Sequence, residues 1–307
     1  MQPFNAKLLR SLRLSALLFF MLSACVSAQN TPAPTPEARS AGSAPYQKAL
    51  EIYSKRQNFP PKILNGVDAH YADFPWQVAL VRADIPDNFY GHFCGGVLIG
   101  DGWVVTAAHC VDAGMTGGML RVVVGTDRLQ GDSLREEVED HIAIPDDYDA
   151  TNFRQDLALL RLKTARPHAR ISMLTSAEDT LTAPDPPNIT ALGWGYLYEW
   201  GLKSNQLKQI SLALPTLDEC KKTYKERISA DMFCAGKSAN GKDACKGDSG
   251  GAAVVKSADG SPRLAGLISW GLGCGKAKRY GVYARVSTFQ QWIRQEQQKQ
   301  LTTNAAQ

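Results

Sequence analysis

The chain lacks a hydrophobic run long enough for a comfortable transmembrane helix. The strongest apolar stretch, LRLSALLFFMLSA at residues 12–24, is short and is led by Lys7, Arg10 and Arg13. A positive n-region before a brief apolar h-region reads as a secretory signal over residues 1–24. Basic surplus is lacking too. The net charge of +4 arises ahead of Ile63, and from Ile63 onward there are 26 basic and 28 acidic residues. A near-neutral domain without a basic stripe excludes nucleic acid as the expected partner. Histidine is scarce, and His70, His92, His141 and His168 stand at no metal-ligand spacing from cysteine or acid, so they read as surface residues and no metal site is assigned. No internal repeat is visible, and the strands do not alternate with helices as a βαβ fold requires.

What is present is a chain of 307 residues, 44% hydrophobic, able to bury a sizeable core. From Ile63 it carries short apolar runs, WQVAL, GGVLI, WVVTAA, RVVVG, LALLRL, GAAVV and LAGLISW, separated by Gly, Pro and Asp. Many short strands with frequent turns predict an antiparallel barrel or sandwich. The ending VSTFQQWIRQEQQKQ puts Val286, Phe289, Trp292 and Ile293 on one helical face, predicting a C-terminal helix, with 301–307 left as a tail. Ahead of Ile63, residues 25–62 form a linker. QNTPAPTPEARSAGSAP at 29–45 is too poor in apolar residues to order itself, and YQKALEIYSKRQ at 46–57 fits a short helix on Tyr46, Leu50 and Tyr53, or continued disorder, equally well.

Seven cysteines are present, six of them beyond Ile63: Cys94, Cys110, Cys220, Cys234, Cys245 and Cys274. Six cysteines allow fifteen connectivities. Cys25 is the odd one. LSAC at 22–25 is similar to a bacterial lipobox, in which Cys25 would carry lipid, whereas VSA at 26–28 fits an ordinary signal cleavage site.

Three motifs carry chemistry: TAAHC at 106–110, DLALL at 156–160 and GKDACKGDSGG at 241–251. A serine hydroxyl is a poor nucleophile at neutral pH, so Ser249 needs a base. A histidine such as His109, with an ordinary pKa near ~6.5, can accept and return a proton. Asp156 would orient that imidazole and stabilise its cation. Backbone N–H groups of Gly247 and Ser249 would face the oxyanion of a tetrahedral intermediate. Singly, these residues read as a strand-edge acid, a core histidine and a Gly/Ser turn. In the order His, Asp, Ser within one domain's length they are a specific signal.

On these motifs residues 63–300 resemble the chymotrypsin/trypsin family of serine endopeptidases. The resemblance implies two antiparallel six-stranded β-barrels with a C-terminal helix and the site in the cleft between them. It implies pairing of Cys94 with Cys110, Cys220 with Cys234, and Cys245 with Cys274, and hence an oxidising compartment. Asp243 matches the base of the S1 pocket in trypsin-like members, with Ser269, Trp270, Gly271 and Gly281 along its walls. Ala244 stands where serine is common and would disfavour Lys against Arg. KILNG at 62–66 matches the activation cut, with Lys62 before it and Ile63 as the new terminus that pairs with Asp248. The resemblance further implies a monomer without cofactor, protein or peptide substrates and proteinaceous inhibitors. With a lipid-bearing Cys25 the uncut form would be membrane-anchored and the cut form released to the periplasm or exterior. RADIPDNFYGH at 82–92 reads as an insertion bordering the cleft, Ala252 replaces the proline usual after GDSGG, and the acids Asp132, Glu136, Glu137, Glu139 and Asp140 read as a solvated loop. Two alternatives stay open: an inactive protease-like binding module, and a narrow regulatory protease of the cell envelope.

Overall fold

The Val-rich runs are built as sheet because β-branched side chains fit a pleated surface buried on one or both faces. In the computed structural model, which describes residues 42–55, 66–131, 133–164, 169–183, 185–196, 203–236, 247–272 and 279–305, they form two sheets. All of these residues belong to one compact unit, Pro34–Gln307. It opens with helix α1 (Ala44–Lys55) and a two-residue strand β1 (Val67–Asp68).

The first sheet comprises β2 (Gln77–Arg82), β3 (His92–Gly100), β4 (Trp103–Thr106), β5 (Leu120–Val124), β6 (Leu134–Glu137) and β7 (Ala158–Arg161), in the order β6-β5-β2-β3-β4-β7. Its edges meet: Val138 bridges Leu162, and the Lys163 N–H donates to Glu137 O at 2.9 Å, so the sheet closes into a barrel. Val78, Leu80 and Val81 on the central strand are fully buried, each contributing on the order of 2 kcal/mol. Between strands lie two one-turn helices, α2 (Asn88–Gly91) and α3 (Ala108–Val111), the latter carrying His109.

After β8 (Ser172–Met173), the second sheet takes β9 (Ile189–Gly193), β10 (Lys208–Leu212), β11 (Met232–Ala235), β12 (Ala252–Lys256), β13 (Pro262–Gly271) and β14 (Gly281–Arg285). These six run β10-β9-β12-β13-β14-β11, and the Gly236 N–H donates to Ala213 O at 2.9 Å where β11 returns to β10. β1 adds to the edge of β10, and β8 adds to β13 in parallel, the one parallel pairing between the named strands. Helix α4 (Leu217–Tyr224) starts in a capping box of Thr216 and Glu219. Helix α5 (Gln290–Ala305) buries Phe289 and Ile293 at its start, with Val286 one turn earlier, and runs five residues past the boundary expected at 300.

Several sequence expectations change here. Residues 134–137 of the acidic stretch are strand, with Glu136 turned inward and Glu137 paired to Lys163 at 3.3 Å, because the alternation of LREE fits a barrel edge. His92 is 1% exposed, at the head of β3 beside the Trp194 ring, and not on the surface. Burial and the nearby Lys203 cation hold its pKa well below the ordinary value, so it is neutral. The helix runs Ala44–Lys55, taking in the last two residues of the stretch expected not to order itself, and among its described side chains the buried ones are Tyr46 and Ala49. Among the described residues, no helix is long and apolar enough to cross a membrane.

Candidate active site

α3 and the loop before β7 bring His109 and Asp156 together. The carboxylate is 1% exposed; Oδ1 accepts the His109 backbone N–H at 2.9 Å and Oδ2 faces Nδ1 at 2.8 Å. The Ser269 hydroxyl also donates to Oδ2. Burial alone would raise the Asp156 pKa, but the His109 charge and these hydrogen bonds outweigh it, leaving the pKa below the ordinary carboxylate value. An ionised carboxylate only accepts, so Nδ1 carries the proton and Nε2 is left as the basic nitrogen. At His109 burial lowers the pKa, and the Asp156 charge and hydrogen bond outweigh it to give a net rise above 6.5.

Ser269, expected along a substrate pocket, turns its hydroxyl to Asp156. The cause is local: the register of β13 against β14 shifts between Ile268 and Trp270, and a bulge re-aims the intervening side chain. Phe153 is a further residue that sequence reasoning missed. Its ring stands edge-on to the His109 imidazole at 5.4 Å and stacks on Trp270 at 6.3 Å, covering one side of the His109–Asp156 pair. Phe153 and Gln155 adopt φ of 58° and 55°, which costs on the order of 1 kcal/mol each for such residues. The loop is held there by Asp149, which accepts the N–H groups of Thr151 and Asn152, and by Asp231, whose Oδ2 accepts the Gln155 N–H at 2.6 Å.

Ser249 is tied to the first barrel through its backbone. Its carbonyl oxygen accepts the Gly95 N–H at 2.7 Å and lies 3.7 Å from Cys110 Sγ, beside His109. The Gly250 N–H donates to Ile268 O at 2.7 Å, fixing the turn to β13. Gly250 has φ +77°, and a Cβ there would lie 2.2 Å from Thr106 Oγ1, so only glycine lets the two barrels cross this closely. Ala252, where proline was expected, donates its N–H to Gln77 Oε1 at 3.1 Å, a bond across the barrels that proline could not make.

Asp248 is half-buried. Its Oδ1 accepts the Gly195 N–H at 2.7 Å, and its carboxyl rests against Gly193 and Gly195, where a Cβ would come within 2.0 and 2.5 Å of it. The GWG at 193–195 was the overlooked signal for this seat. Gly247 has φ +88°, again a conformation that suits glycine. Gly271 and Gly281 are register partners on β13 and β14, with Trp270 opposite Val282. Asp243, Ala244, Lys62, Ile63, Cys25, Cys245 and Cys274 lie outside the described residues.

Cys94 is bonded to Cys110 and Cys220 to Cys234, two of the three expected pairs. A ring nitrogen of His109 and the sulfurs of Cys94 and Cys110 lie within 4.8 Å of one another. Both sulfurs are spent in the disulfide, so this group offers no thiolate to a metal. Segment 82–92 is folded onto the first barrel: Asp87 caps α2, Ile85 is fully buried, and Arg82 pairs with Asp84 at 2.6 Å.

The family model described as Trypsin matches residues 63–293. A trypsin from Phaedon cochleariae is 35% identical over 241 residues, covering 76% of this chain and 88% of the relative. Trypsin eta from Drosophila erecta is 37% identical with the same coverage of both chains. Serine proteinase stubble from Drosophila melanogaster is 35% identical over 250 residues, but the chain spans only 30% of that protein's length. These relatives are insect proteins and give no support to the bacterial source that a lipobox at Cys25 would imply.

Proposed function

Because the chain belongs to the trypsin family of serine proteases, we propose that it hydrolyses peptide bonds after Arg, and less readily after Lys, through Ser249, His109 and Asp156. The observation that carries this reading is the ionised, buried Asp156 holding His109 Nδ1, with the Ser249 backbone tied beside it. The steps follow from those residues. Nε2 of His109 takes the Ser249 proton as Oγ attacks the scissile carbonyl; the imidazolium, stabilised by Asp156, returns it to the leaving amine; water then hydrolyses the acyl-enzyme by the same exchange. Gly247 and Ser249 N–H groups would hold the oxyanion.

The Arg preference rests on Asp243, a carboxylate that a guanidinium would pair bidentately, and on Ala244, which removes a hydroxyl partner for an ammonium. Lys62, Ile63 and Asp248 support synthesis as a zymogen: the new Ile63 ammonium would draw Asp248 from its seat on Gly195 and order the loop at Gly247. The signal at 1–24 and the disulfides support export to an oxidising compartment.

The test is hydrolysis of a peptide library by chain cut after Lys62, beside Ser249→Ala. Cleavage after Arg, lost by about six orders of magnitude in turnover in the variant, is the expected result. Cleavage after Phe or Leu would overturn the pocket assignment. Equal turnover by the Ser249→Ala chain would overturn the nucleophile, and no turnover by correctly cut chain would favour the inactive binding module.

A further inference from the structure

The segment ahead of the protease fold is seated on it. Ser43 is fully buried, and its hydroxyl donates to the Cys110 carbonyl at 2.5 Å, one residue from His109. Tyr46 is 3% exposed: its ring meets Phe93 edge-on at 5.4 Å, its hydroxyl donates to Met119 O at 3.1 Å, and the Arg82 guanidinium lies 3.8 Å from its centroid. Arg82 Nη1 also donates to the Tyr46 carbonyl at 3.1 Å while its other nitrogens hold Asp84. Ala49 is buried one turn on. Gly42 starts the segment at φ +102°, and a Cβ there would lie 2.5 Å from the Tyr46 ring, so the entry turn requires glycine. Burial pushes the Tyr46 phenol up to about 12, against the lowering charge of Arg82, so it stays a donor through neutral pH.

The seat is made for this occupant. Segment 82–92, expected to border the cleft, supplies Arg82 and α2, and α1 packs against α2, β3 and α3. A departing segment would leave the fully buried Arg82 side chain without its ring and one acceptor, and would uncover Phe93 and the Cys110 carbonyl. None of these contacts is covalent, and each joins a residue before 56 to one beyond Ile63, so a cut after Lys62 removes none of them.

We propose that residues 42–55 are a non-covalent clip, bound to the first barrel at the surface formed by Arg82, Phe93, Cys110 and Met119, and that the cut protein remains a two-chain complex. Whatever the residues before Gly42 carry then stays with the protease, and cutting does not release it as the sequence alone suggests. The statement about activation rests on the cut proposed after Lys62. The clip itself does not depend on catalysis.

The experiment uses the full chain as Ser249→Ala with Cys25→Ser, in which residues 57–60 are replaced by the recognition sequence of a foreign endopeptidase. After complete cutting, the amino-terminal fragment is expected to co-elute with the protease domain in native gel filtration and to separate in denaturant. Tyr46→Ala and Gly42→Val are each expected to weaken retention on the order of tenfold, as removal or displacement of a buried aromatic anchor does. Gly42→Val leaves the barrel core untouched, so it serves if Tyr46→Ala fails to fold. A fragment that elutes alone from the cut chain overturns the clip, as does retention undiminished in both variants. Since the foreign enzyme makes the cut in a chain without the Ser249 hydroxyl, retention of the fragment is read without catalysis, and the peptidase reading is tested separately by turnover of the same cut chain with Ser249 restored.

Discussion

His109 and Asp156, on the first barrel, are locked to each other by side-chain hydrogen bonds, whereas Ser249 and its neighbours on the second barrel are held mainly through backbone atoms. Asp248 illustrates the contrast: its Oδ1 accepts a backbone N–H, that of Gly195. A bond to a neutral amide is weaker than an ion pair with an additional charge-assisted hydrogen bond. The His109–Asp156 pair is therefore formed by side chains, and under the proposed activation the Asp248 side is the one that would answer a cut.

The largest expected effect on this contrast comes from Asp156→Asn. Turnover should fall by about four orders of magnitude, the loss typical when a triad carboxylate is neutralised and the wrong tautomer results. The pH profile should change with it. In the parent His109 must be neutral to act as a base, so activity is lost as pH falls through a pKa held above 6.5 by Asp156. Without that charge, burial dominates and the acid limb should move to lower pH. An unmoved limb in a stopped-flow pH series would show that Asp156 does not set the base.

Ser269→Ala should have a smaller effect, on the order of tenfold in kcat/KM, the scale of one hydrogen bond to a charged group. The loss should fall on kcat, because the hydroxyl touches Asp156 and not the substrate. A change confined to KM would return Ser269 to the substrate pocket, where the sequence first suggested it.

Legibility in the sequence divides along physical lines. The seven Val- and Leu-rich runs all became strands, because their hydrophobic content exceeds what a loop can expose. KQISL and MFCA did not advertise themselves, since β10 is partly solvated and β11 is short; their pairing comes from neighbours. His109, Asp156 and Ser249 were legible because each sits in a motif whose residue types serve one reaction. Ser269, Phe153 and Gly195 were not: a bulge, two residues at positive φ and a close approach place them, and no short-range pattern encodes those. The Ala44–Lys55 helix was half legible. Its apolar spacing suggested a helix, but the buried face depends on Arg82, a residue whose charge marks it for the surface until Tyr46 and Asp84 cover it.

The contrast between the two halves is tested most directly by the rate at which a fluorophosphonate labels Ser249 before and after the Lys62–Ile63 bond is cut, with amino-terminal sequencing of each labelled species. The uncut chain should label at least about a hundredfold more slowly, the scale of one missing oxyanion donor, and the fast species should begin ILNG. Equal labelling rates, with the uncut chain verified intact across Lys62 and Ile63, would contradict it.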